Sequence, residues 1–187
     1  MSHYLLALPF AMLFMSACSL HVQQFSRVSI DDRLGWKVVQ KCDSGACYPS
    51  NDYLVANDIT IRVDARNHIP QYIERDIFVI AVLFPDGQKQ NIEFDPSLST
   101  AKLQGQRLFR AKGIACAGTT VLDRSYVLSA PAVTRYQKIT RGRYCFFLFF
   151  DTPPPSVKEV FVLNLKGVRR HGQIIDVPGI VFRPGKG

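Results

Sequence analysis

Thiols and guanidinium groups are the chemistry this sequence offers most plainly. Its five cysteines stand at positions 18, 42, 47, 116 and 145. A thiolate attacks a substrate when a base lies beside it, so a nucleophile at Cys116 or Cys145 would have to meet His171. Thiolates also hold zinc, and Cys42 and Cys47 with two further thiols superficially resemble a ligand set, but the tight Cys-x2-Cys knuckles of such sites are missing. The carboxylates that glycoside cleavage would need, Asp64, Glu74, Asp76 and Glu93, are scattered among turns, as solvated acids are. No His-Glu-x-x-His, Gly-x-Ser-x-Gly or phosphate-cradling glycine loop occurs. The sequence therefore reads as non-catalytic, with neither cofactor nor metal. The cations are better placed for binding. Lys166, Arg169 and Arg170 fall in one short segment with Gly167 and Gly172, a hairpin tip able to grip a phosphate or carboxylate.

Cys18 differs from the other cysteines in its setting. An apolar run over residues 5–14 precedes Met15-Ser16-Ala17-Cys18-Ser19. That run is too short for a membrane span, which needs ~20 helical residues, and fits the apolar part of a secretory signal. Met15-Ser16-Ala17-Cys18 resembles the lipobox of bacterial lipoproteins. The resemblance implies cleavage before Cys18 and acylation of that residue with chains such as palmitate. Residues 1–17 are then a signal peptide, 18–25 the lipidated cysteine and a short tether, and 26–187 the domain. Several acyl chains anchor a protein stably where one does so marginally. By the same resemblance, Ser19 rather than Asp after the cysteine implies, under the sorting rule of enteric-type bacteria, export to the outer membrane with the domain facing the periplasm.

An exported domain folds under oxidising conditions, where an even number of cysteines reads as disulfides. Cys42, Cys47, Cys116 and Cys145 allow three pairings. The spacer 43–46, with the flexible Gly45, closes a small turn, so Cys42–Cys47 with Cys116–Cys145 is the expected set. Charge divides unevenly between the halves. Residues 18–99 carry 8 Lys/Arg against 11 Asp/Glu, and residues 100–187 carry 15 against 4. This asymmetry points to an anionic partner. In the cell envelope such a partner is a headgroup, an acidic polymer or a protein rather than nucleic acid.

The elements that must position these groups are strands. Residues 58–64 alternate apolar and polar side chains, as a half-buried strand does. Residues 77–84 are apolar throughout and meet Pro85-Asp86-Gly87-Gln88, a turn signal that predicts a hairpin to 90–94. Further strands are expected at 36–40, 107–112, 133–139, 144–150, 157–165 and 174–182, separated by Pro- and Gly-bearing turns. A helical turn is expected only near 96–103. So many strands imply an all-β fold, an antiparallel, immunoglobulin-like β-sandwich in a single domain. Strands 77–84 and 144–150 are apolar on both faces, which predicts central positions with an outer cover, from within the chain or from a partner.

The expected function is a non-catalytic, outer-membrane-anchored periplasmic lipoprotein, a binding or scaffold component of a cell-envelope assembly such as a secretion or export apparatus. Its partners are the membrane through the lipid, an envelope protein and an anionic ligand. The alternative is a periplasmic inhibitor or immunity protein that blocks an enzyme or toxin.

Overall fold

The computed structural model describes residues 25–30, 34–40, 52–65, 77–103, 108–116, 124–156 and 158–185. Expectations resting on Cys18, Cys42, Cys47, Glu74 and Asp76 lie outside them. In chain order the strands are β1 (Phe25–Ile30), β2 (Lys37–Gln40), β3 (Asp52–Ala56), β4 (Ile59–Ala65), β5 (Phe78–Leu83), β6 (Ile92–Phe94) and β7 (Thr100–Leu103). They continue with β8 (Leu108–Ala115), β9 (Gln137–Lys138), β10 (Cys145–Phe150), β11 (Phe161–Asn164), β12 (Val168–Arg170), β13 (Gln173–Ile174) and β14 (Ile180–Gly185). A 3₁₀ turn (Pro96–Leu98) precedes β7, and the helix α1 (Arg124–Ser129) follows β8. The all-β expectation holds. Among the described residues no helix is long and apolar enough to cross a membrane.

Ten strands form one antiparallel sheet in the order β1-β14-β11-β7-β8-β10-β5-β4-β3-β2, and β13-β12-β6-β9 form a second. Strand β8 is the corner of the large sheet. Its first residues pair with β7, and from Ala111 onward it pairs with β10. The sheet curls until its terminal strands β1 and β2 touch, so it is nearly closed. At β8, Gly113 is required, because a Cβ there would press into the Pro96 ring of the 3₁₀ turn. Inside the curl, Phe161 stacks on Phe182 with centroids 4.4 Å apart and meets Phe78 edge-on at 5.2 Å. Such aromatic pairs add specific geometry to simple burial.

Two hairpins owe their turns to left-handed backbone. Asn57 and Asp58 (φ 45° and 68°) join β3 to β4, and His171 and Gly172 (φ 50° and 79°) join β12 to β13. Two positive φ values in succession match the twist of the flanking strands, and Asn, Asp and Gly tolerate them best. The hairpin predicted after residue 84 does not form. The turn at 85–91 is present, but β5 pairs with β4 and β10, whereas β6 pairs with β12 and β9. The turn carries the chain from one sheet to the other. Residues 174–182 divide into β13 and β14 on either side of Pro178, which has no N–H to donate.

The strands apolar on both faces are central and covered from within the chain. Phe78, Ile80, Val82, Phe146, Leu148 and Phe150 enter the main core. Their alternates Val79, Ala81 and Phe147 form a second cluster with Ile77, Ile114 and Val127. Val127 belongs to α1 and is 1% exposed. The helix thus caps the outer sheet face, and it is held by more than that contact. Lys112, on the same face of β8 as Ile114, donates from Nζ to the carbonyls of Val127 at 2.7 Å and Leu128 at 3.0 Å. Those carbonyls end a helix and have no partner within it, and Pro131 prevents the helix from continuing.

Candidate functional site

The helix cap has a second consequence. Between α1, the start of β9 and the end of β8 lies a groove of about 730 Å³. Buried Ile114 and half-buried Tyr126 and Val133 give it an apolar base, while Ser129, Thr134 and Gln137 supply hydrogen-bonding groups. Exposed Arg135 and Arg143 stand at the rim, and among the described residues no acid lines it. The loop wall is fixed where Val133 donates to the Gly113 carbonyl at 2.8 Å. Arg143 is oriented by donating from Nη1 to Oε1 of Gln137 at 2.8 Å. The guanidinium is a planar fork with further N–H groups suited to carboxylate or phosphate.

Residues 135–138, which end in β9, divide their side chains between two tasks. Arg135 and Gln137 line the groove, whereas Tyr136 and Lys138 lie on the side of the small sheet that carries Arg169 and Glu93. There Lys138 lies opposite Glu93 of β6, which in turn lies opposite Arg169 of β12. Arg169 pairs with the Glu93 carboxylate and sits 3.8 Å above the Tyr136 ring. A guanidinium over an aromatic face is attractive in itself. Together these contacts clamp β9 in the orientation that presents Arg135 and Gln137 to the groove.

The three cations singled out from the sequence are therefore placed differently from one another. The hairpin exists, but its tip is His171-Gly172, while Arg169 and Arg170 lie within β12 and point to opposite faces. Arg169 is engaged by Glu93 and Tyr136. Arg170 donates to the Asn57 carbonyl at 3.2 Å and so steadies the β3–β4 turn, to which Gln90 also donates at Asp58. Lys166 precedes the strand; its side chain is exposed and lines a separate recess with Asn164 and Asp176. The backbone around it is tied down, with Asp95 donating to the Gly167 carbonyl at 2.9 Å.

Cys116 and Cys145 form a disulfide with Cα atoms 5.3 Å apart. They are cross-strand neighbours, since Cys116 N–H also donates to the Cys145 carbonyl at 3.0 Å. The chain between them contains α1, β9 and most of the groove. Among the described residues no three His, Cys, Asp or Glu side chains are grouped as metal ligands would be. The groove arginines had a signal in the sequence: residues 124–150 contain no Asp or Glu but carry Lys or Arg at 124, 135, 138, 141 and 143. Compared with protein families, characterised proteins and solved structures, the chain matches none.

Proposed function

We propose that this chain is a lipid-anchored binding component of a cell-envelope assembly, held to the outer membrane through Cys18 with its β domain in the periplasm, and that it acts without catalysing a reaction. The observation that carries the binding half of this reading is the groove, in which the described lining residues assemble an apolar base, neutral hydrogen-bonding groups and two rim arginines. The lipobox resemblance at residues 15–18 carries the anchoring half. In architecture the reading takes the two leaves that share β8 as an immunoglobulin-like sandwich, with the Phe78–Phe161 contact joining them; the near-closure at β1 and β2 is the feature it shares with a barrel.

Both halves are tested in cells producing the full chain. Cys18→Ala is expected to abolish palmitate labelling and to leave unprocessed precursor. A photocrosslinking residue at Ala132, beside the groove, is expected to trap an envelope protein that the same residue at Lys158 does not. Mature-sized Cys18→Ala protein that still fractionates with membranes would refute the anchor. Absence of any crosslink specific to Ala132 would refute the binding surface. A trapped enzyme or toxin would instead identify an inhibitor.

A further inference from the structure

We infer that the groove between α1, β8 and β9 binds an extended acidic peptide segment of a protein partner, with a Glu or Asp side chain held by Arg135 and Arg143 and a neighbouring apolar side chain seated on Ile114, Tyr126 and Val133. This rests on the binding reading above and adds the chemistry of the partner.

Charge complementarity points to an acidic occupant, since the charged side chains among the described lining residues are Arg135 and Arg143. Glu93, the nearest acid in the small sheet, is taken by Arg169 and lies opposite Lys138, on the face of β9 away from the groove. Arg143 is directed by a neutral acceptor, Gln137, whose bond orients the guanidinium without cancelling its charge. A carboxylate arriving between the two rim arginines would form charge-assisted hydrogen bonds, about twice as strong as neutral ones.

The remaining lining distinguishes a peptide from a lipid. Ser129, Thr134 and Gln137 bring hydroxyl and amide groups to the same groove, and these match the N–H and C=O groups that recur along a peptide backbone. An acyl chain offers these groups no hydrogen bond, whereas the Thr134 hydroxyl and the Gln137 amide N–H groups can pair with a peptide backbone. The small side chains Ala115, Ala130 and Ala132 in its wall leave space for the peptide backbone to approach.

The test uses the full chain in phosphatidylcholine nanodiscs and a fluorescein-labelled peptide, Gly-Glu-Leu-Glu-Val-Gly, read by fluorescence anisotropy. The paired variant Arg135→Gln/Arg143→Gln is expected to weaken binding about tenfold or more, the factor that one charged hydrogen bond supplies. The peptide with Gln in place of Glu is expected to lose a similar factor on the parent protein. Lys102→Gln/Arg110→Gln removes the same charge from exposed strand positions elsewhere and is expected to leave the affinity within about twofold, since such charges are screened. Equal loss in both paired variants, or equal binding of the Glu and Gln peptides, overturns the inference. Flotation with phosphatidylglycerol vesicles that depends on Arg135 and Arg143, without peptide binding, overturns it in favour of a headgroup. If the peptide fails while Ala132 still crosslinks an envelope protein, this inference falls and the broader reading stands.

Discussion

Replacing Cys116 and Cys145 together with serine removes a covalent link between residues separated by 29 positions. The folded protein has little need of that link locally. Strands β8 and β10 already pair there, Ala115 lies opposite Phe146, and the Cys116 N–H already reaches the Cys145 carbonyl. The effect should therefore fall on the unfolded chain, which gains the freedom of an open loop. In the chain-entropy model a loop of this length is worth about 3.5 kcal/mol at 25 °C. For a domain of this size each kcal/mol moves the melting temperature by about 2–4 °C, so a fall of roughly 7–14 °C is expected. Urea unfolding of the parent and the double-serine variant measures this directly, with the remaining cysteines unchanged in both. The midpoint should drop while the m-value rises, because the uncrosslinked unfolded chain exposes more surface. A stability loss below about 1 kcal/mol, with the m-value unchanged, would refute the argument that the link acts through the unfolded state.

Two further substitutions examine how the groove is framed. Lys112→Met keeps the side-chain stem but removes the ammonium that caps α1, and should cost about 2 kcal/mol, the worth of a charged hydrogen bond to a partly buried acceptor; faster exchange of the Ala130 amide, which donates to the Tyr126 carbonyl at 2.8 Å, reports the loosening of the helix end. Gly113→Ala drives a methyl into the Pro96 ring and should cost about 1–3 kcal/mol, as overpacking does; an unchanged urea midpoint would show that the 3₁₀ turn yields freely.

What was legible in the sequence was local, and what was not depended on which strand meets which. Alternation over residues 58–64 located β4, and unbroken apolar runs located β5 and β10, because burial on one or both faces is written into side-chain type. The cover over those runs was foreseeable as a need, yet α1 itself was not, since six residues with one buried Val127 carry no sustained helical period. The signal at Pro85-Asp86-Gly87-Gln88 predicts a turn, which forms, and a hairpin, which does not. Turn chemistry fixes a change of direction, whereas the pairing partner of β6 is settled by Val168 and Gln137, far away along the chain. The same limit governs the site. Arg169 and Arg170 drew notice because they are adjacent, but adjacency within a strand sends side chains apart, one to Glu93 and Tyr136 and the other to Asn57. Arg135 and Arg143 converge on one groove because the chain between α1 and β10 returns to the end of β8, where Val133 donates to the Gly113 carbonyl and Cys116 to the Cys145 carbonyl. The acid-free composition of residues 124–150 shows that charge accumulates there, and only the pairing of the strands shows that it gathers around an apolar trough.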